Sequence, residues 1–149
     1  MSSAQDSVST PPPLRPFGLV LHHDGRWSHE GQPLLNRKIR ELFDRSVVYL
    51  PTESKFIVKV GRFRGQIEIE EAGFFVREID LSQGQVRLSD GSSEPLALST
   101  LEVSPIDGAL LCGVKQVLFA QGLKARFSHS AQAEFLGAAE EAEDGEGWV

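Results

Sequence analysis

Residues 19–29 read LVLHHDGRWSH, an apolar run that leads into Asp24-Gly25 and then into an aromatic run. Asp-Gly is typical of a tight β-hairpin turn because glycine readily takes a positive φ. A two-residue loop at this dipeptide sets the pairing of the two arms, and side chains alternate along each arm. This register places four side chains on one face of the hairpin: Val20, His22, Trp27 and His29.

The segment after the hairpin predicts one amphipathic helix. Asn36 is a suitable N-cap, and Pro51 is a suitable end. Between them, apolar residues recur at helical spacing. These residues are Ile39, Leu42, Phe43, Val47 and Leu50.

Strands are predicted beyond Pro51. Residues 56–60 and 66–70 alternate apolar and polar side chains, and residues 74–81 form a third apolar run. Arg62, Phe63 and Arg64 lie between Gly61 and Gly65, which predicts a flexible connection between the first two strands.

The second half of the chain is rich in short apolar runs separated by Asp-Gly and Pro turns. The predicted strands are residues 85–89, 96–103, 109–115, 118–120 and 123–127. Ser128 or Ser130 is a suitable cap for a closing helix that contains Phe135 and Leu136. The pattern therefore predicts an α+β fold.

Composition divides the chain into four regions. Residues 1–16 are rich in Ser and Pro and predict a disordered leader. Residues 17–81 form an N-terminal α+β half, and residues 82–139 form a strand-rich C-terminal half with its closing helix. Residues 140–149 form an acidic tail.

Charge and hydropathy exclude several classes of protein. The 149 residues carry a formal net charge of −6, and five acidic residues without a base lie in the last dozen. The sequence lacks the Lys/Arg cluster that is typical of a nucleic-acid-binding surface, so we expect no nucleic-acid partner. No apolar run reaches the roughly 20 residues of a membrane-spanning helix, and no secretory signal is recognisable. We predict no membrane partner and a cytoplasmic location; nothing in the sequence specifies an oligomeric state.

Residues 24–43 resemble a bacterial family of unassigned function, domain-of-unknown-function family 1285. The shared residues are Asp24, Gly25, Trp27, His29, Gly31, Pro33, Arg37, Leu42 and Phe43. Residues 70–76 are similar to the family's acidic-then-aromatic segment, and residues 122–126 with the Phe135-Leu136 helix are similar to its closing segment. The resemblance implies an α+β protein of two small similar halves of antiparallel strands, each with a helix. It also implies a ligand-binding or signalling role and supplies no catalytic residues.

The hairpin and the start of the predicted helix provide a candidate binding site. Basic residues at a helix N-terminus are locally unfavourable, and an anion bound there would remove that cost. We therefore predict a non-catalytic module that binds a small anionic ligand or a protein segment between the two halves. In this hypothesis Trp27 supplies an apolar wall, His29 a hydrogen bond and Arg37 the charge. The predicted ligand-binding residues are Arg26, Trp27, His29, Arg37 and Lys38.

Two other functions remain open from the sequence. One is a metal-dependent hydrolase that uses His22 and His29, which the predicted register places as a diagonal pair. The other is a purely protein-interacting module, in which the loop of Arg62, Phe63 and Arg64 contacts an acidic partner.

Enzymatic activity has little support in the sequence. No third metal ligand is evident near the two histidines, so no metal or cofactor is predicted. Cys112 follows an apolar run, which predicts a buried thiol rather than a nucleophile. Hydrolase and nucleotide-binding motifs are absent from the sequence. We therefore predict that the protein is not an enzyme.

Overall fold

The computed structural model describes residues 15–144 of the chain. These residues form two compact units, which meet in sequence at Glu70 and Glu71. Among the described residues, no helix is both long and apolar enough to cross a membrane.

The first unit is a six-stranded sheet with one helix. Its strands follow the spatial order β3-β2-β1-β6-β5-β4, and all neighbours are antiparallel except the central pair, β1 and β6. The elements are β1 (Arg15–Leu21), β2 (Trp27–His29), β3 (Gln32–Pro33), α1 (Arg37–Ser46), β4 (Val47–Leu50), β5 (Lys55–Val60) and β6 (Phe63–Ile69).

The helix α1 begins as predicted but ends earlier. The side chain of Asn36 accepts a hydrogen bond from the backbone N–H of Ile39 at 3.1 Å, which confirms the N-cap. The helix stops at Ser46 instead of continuing to Pro51, and the apolar residues that follow form β4. The prediction was wrong there because β-branched and aromatic residues suit a half-buried strand better than a helix.

The second unit repeats this sheet topology. Its elements are β7 (Phe74–Asp80), β8 (Gln85–Leu88), β9 (Ser93–Pro95), a 3-10 turn (Leu98–Thr100), β10 (Glu102–Val103), β11 (Leu110–Val114), β12 (Leu123–Phe127) and α2 (His129–Asp144). Read from β9, the order is β9-β8-β7-β12-β11-β10, and the central pair is again parallel. In each unit a three-stranded meander is followed by a second one, and the last strand pairs with the first.

The predicted fold class is confirmed: the protein is α+β, with two similar halves that each carry a helix. Each sheet is mixed rather than purely antiparallel, because the two meanders of a unit join through strands that run in the same direction. The helices occupy different places, since α1 lies between the meanders whereas α2 follows β12. Ser128 caps α2 as predicted, accepting from the backbone N–H of Ala131 at 3.2 Å.

Three boundaries differ from the predicted ones. The strand at residues 74–80 belongs to the second unit, because β7 pairs with β8 and β12. Residues 15 and 16 lie in β1 rather than in the leader, and residues 140–144 extend α2 into the predicted tail. Residues 1–14 and 145–149, which complete the predicted leader and tail, lie outside the described residues.

Two of the strands predicted in the second half of the chain are wrong. Residues 118–120 are not a strand but part of the turn between β11 and β12. Residues 96–103 divide into the 3-10 turn and the short strand β10. Leu98 and Val103 are exposed, so an apolar side chain at these positions does not indicate a buried strand.

Candidate binding site

The hairpin between β1 and β2 has a three-residue loop, one residue longer than predicted. The backbone N–H of His22 donates to the carbonyl of Arg26 at 2.8 Å, and that of Gly25 donates to the carbonyl of His22 at 3.0 Å. Gly25 takes a φ of 91°, the left-handed position that closes a three-residue hairpin with a bulge. Leu21 therefore pairs with Trp27, whereas the predicted register paired His22 with it. A slip of one residue reverses which side chains share a face.

The corrected register places the Trp27 side chain under α1. Its side chain is buried, and the indole Nε1–H donates to Asp44 Oδ1 at 2.7 Å. Its ring lies 5.4 Å from the ring of Phe43. Both contacts are in the second half of α1, so the indole lies away from the basic residues at the start of that helix.

Of the other predicted binding residues, Arg26, Arg37 and Lys38 are exposed and His29 is half-buried. Arg26 forms an ion pair with Asp24 at 2.7 Å, and Arg37 pairs with Glu41 one helical turn later at 3.1 Å. His29 Nε2 lies 4.0 Å from Glu30 Oε1. Lys38 is exposed on α1. The structure does not bring all five predicted residues into one site. Arg26 and Arg37 pair with acidic residues in their own turn or helix, and the Trp27 indole bonds to the second half of α1.

The histidines of the hairpin do not form the predicted diagonal pair. His22 shares a face with Ser28, and its Nε2 lies 2.9 Å from Ser28 Oγ, whereas His29 lies on the opposite face with Trp27. His23 binds Glu70 instead: its backbone N–H and its Nδ1 both lie 2.7 Å from Glu70 Oε1. These hydrogen bonds lower the pKa of the Glu70 carboxyl.

This geometry counts against a metal site built on His22 and His29. Within residues 15–144, no group of three His, Cys, Asp or Glu side chains is arranged to hold a metal ion. The hairpin instead borders a small cleft of about 250 Å³, in which two of the predicted binding residues, Arg26 and Trp27, take part. Its lining residues are His22, Arg26, Trp27, Ser28, Gly31 and Pro33.

A larger cleft of about 590 Å³ lies on strands β4–β6, on the sheet face opposite Trp27. Its floor is apolar and its rim is cationic. None of the described residues that line it is acidic. The lining residues are Val48, Leu50, Ile57, Lys59, Gly61, Arg62 and Arg64.

The strand register explains how the cations of this cleft come together. Lys59 of β5 pairs with Arg64 of β6, and Gly61-Arg62 forms the two-residue turn between these strands. Gly61 takes a φ of 58°, which permits this tight turn. The predicted connection over residues 61–65 is therefore wrong, because residues 63–65 already belong to β6.

The sequence contained part of the signal for this cleft. Arg62 and Arg64 stand out as two neighbouring cations, but the alternation of residues 56–60 indicates only a polar strand position for Lys59. The helical spacing places Val48 and Leu50 in α1. The cleft requires β4 to be a strand beside β5, a pairing that local patterns do not specify.

Cys112 is not available for chemistry at neutral pH. It is 2% exposed, and burial together with the charge of Glu94 raises the pKa of its thiol to about 12. We expect a thiol reagent at pH 8 to modify Cys112 about a thousandfold more slowly in the folded protein than in urea. Comparable rates in both conditions would contradict the buried placement.

Comparison with known proteins locates the fold but not the function. No protein-family model matches the chain, and no curated protein matches it. A DUF1285 family protein from Silicibacter pomeroyi DSS-3 aligns with a TM-score of 0.58 and 17% identity, covering 87% of this chain and 73% of that one. A DUF1285 family protein from Shewanella baltica OS155 aligns with a TM-score of 0.53 and 14% identity, covering 80% of this chain and 91% of that one. The resemblance to this family is thus confirmed at the level of the fold.

Proposed function

We propose that the protein is a binding module whose β4–β6 cleft takes an anionic ligand that also carries an apolar portion. The observation that carries the proposal is the set of cations around an apolar floor: Lys59, Arg62 and Arg64 line the same cleft as Val48, Leu50 and Ile57. This site replaces the hairpin-to-helix junction as the candidate for the anionic ligand.

The charges of the cleft favour an anion. Lys59 and Arg64 are direct cross-strand neighbours, and Arg62 lies in the turn between their strands, so three positively charged residues line the cleft. A bound carboxylate or phosphate would accept charge-assisted hydrogen bonds from cations at this rim.

The floor and volume of the cleft favour a ligand larger than a bare ion. About 590 Å³ lies within the range of small-molecule pockets. Val48 is 37% exposed on this face, so covering it removes apolar surface from water. The apolar portion of the ligand would therefore contribute binding free energy independently of its charge.

The test uses octyl phosphate below its micelle concentration, titrated by calorimetry. We expect saturable binding that weakens as salt rises from 0.05 to about 0.5 M, because screening acts on the rim charges. Reversing one rim charge in Arg62→Glu should weaken binding about tenfold or more, since a charged hydrogen bond contributes about 1.5–3 kcal/mol.

The matched control is Lys38→Glu, which reverses an exposed cation of the same unit outside the cleft. It should leave the affinity unchanged, whereas a ligand site at the start of α1 would lose affinity with this variant. Octyltrimethylammonium, which has the same tail and the opposite charge, should not compete. Equal effects of the two charge reversals, or no binding at all, would refute the proposal.

A further inference from the structure

The four edge strands of the two sheets differ in how they are protected. Unpaired backbone groups at an edge invite another strand, and proteins commonly block them with proline, charge or short length. β3 has two residues and ends in Pro33, β9 contains Glu94 and Pro95, and β10 is a two-residue strand with Glu102.

β4 lacks all of these protections. Its four residues, Val-Val-Tyr-Leu, contain neither proline nor charge, and it is the longest of the four edges. In the part of the chain that the structure describes, β5 is its only strand neighbour. Its outer backbone edge is therefore suited to strand addition.

The neighbouring strand β5 places charge on both sides of the exposed part of β4. Lys55, Ile57 and Lys59 alternate along β5 and share the face of the cleft. Lys55 pairs with Leu50, and Ile57 pairs with Val48. On the sheet face next to this edge, a cation, an apolar residue and a second cation therefore follow one another along β5. Successive members are two residues apart, which is about 7 Å along a strand.

We propose that the ligand of the cleft is an extended segment of another protein that pairs with β4 and carries the pattern acidic–x–apolar–x–acidic. This inference rests on the proposed function and names the partner class of the same site. A strand added beside β4 lies about 10 Å from β5, two strand spacings. Its acidic side chain beside Leu50 reaches across β4 toward Lys55, and its other acidic side chain lies beside Ser46, the residue before β4, on the side of Lys59. Its central apolar side chain lies beside Val48.

Charge favours such a segment over a second copy of this chain. Antiparallel pairing of β4 with its own copy would bring two sets of lysine and arginine side chains toward one interface, where like charges oppose association. An acidic segment neutralises the same charges. The alternating pattern also follows the side-chain period of a strand, which a helical partner does not match.

The experiment follows backbone amide hydrogen exchange of residues 47–50 in the full chain. The probe is the capped peptide Thr-Glu-Thr-Val-Thr-Glu-Thr. We expect saturating peptide to slow exchange of the outward-facing β4 amides at least tenfold. A version N-methylated at alternate residues, which cannot form the backbone ladder, should give no protection, and a version with Gln for both Glu should bind at least tenfold more weakly.

Two matched variants separate the edge from general surface effects. Val48→Asp places a like charge against the acidic peptide and should weaken its binding at least tenfold. Val103→Asp makes the same change on β10, an exposed edge of the other sheet, and should have no effect. Because both residues are exposed, neither variant should unfold the protein.

The outcomes distinguish this inference from the proposed function. Binding of octyl phosphate that depends on Arg62, without peptide protection of residues 47–50, would overturn the strand-pairing inference and leave the proposed function standing. Failure of both probes would overturn both. A concentration-dependent dimer in sedimentation experiments, with these amides already protected, would assign the edge to a second copy and overturn the inference.

Discussion

Replacing Trp27 with alanine should lower the free energy of unfolding of the first unit by about 3–5 kcal/mol. The indole is 1% exposed, so its removal deletes apolar contacts and leaves a cavity beneath α1. The variant also loses the 2.7 Å hydrogen bond to Asp44 and the contact with the Phe43 ring. Urea unfolding followed by circular dichroism, with amide exchange across residues 15–70, measures the loss and its location.

A smaller change at the same residue should have a smaller effect. Trp27→Phe keeps an aromatic ring in the core but loses the N–H donor to Asp44 and part of the indole's packing volume, so it should cost about 1–3 kcal/mol. Arg26→Ala, at the exposed neighbouring residue, should change stability by no more than about 0.5 kcal/mol. Equal stabilities of Trp27→Ala and the parent protein would show that the indole is not part of the core.

The same residue shows why the first candidate site failed while the fold was predicted. Asp24-Gly25 correctly indicates a hairpin, but this dipeptide suits both a two-residue loop and a three-residue loop with glycine in the left-handed position. Burial makes the choice, because only the three-residue loop places Trp27 on the face of Leu19 and Leu21. The sequence of the hairpin alone does not show that this face is the buried one, because α1, which supplies the Phe43 and Asp44 contacts to Trp27, lies later in the chain.

The cleft on β4–β6 was missed for a related reason. Val47 and Leu50 continue the helical spacing of α1, and short apolar segments fit both periods. Pairing with β5 makes residues 47–50 a strand instead of a continuation of the helix, since Val47 pairs with Val58 and Leu50 pairs with Lys55. Such contacts between distant residues position the site, whereas helix caps, such as Asn36 for α1, are local and were predicted correctly.

Removing the charge of Arg126 should destabilise the second unit by about 3–5 kcal/mol, because the buried Glu71 side chain is then left without a cationic partner. The Arg126 side chain is 9% exposed and forms a two-point contact with Asp107, while its Nη1 lies 3.4 Å from Glu71 Oε1. The Glu71 side chain is only 5% exposed, and its other oxygen accepts from Ser104 Oγ at 2.6 Å. In Arg126→Met, Glu71 keeps this hydrogen bond but loses its cation.

The sign of the effect of a second substitution makes this prediction specific. In Arg126→Met the buried Glu71 side chain loses the guanidinium that faces it in the parent protein. Adding Glu71→Gln removes the unpaired buried charge and should recover at least 1 kcal/mol at pH 7, as denaturant titration of the single and double variants would measure.

The control variant is Lys124→Met, which removes an exposed ion pair from the same strand and should cost less than about 1 kcal/mol. If the double variant were less stable than Arg126→Met at pH 7, packing around Arg126, and not the buried charge of Glu71, would account for the loss.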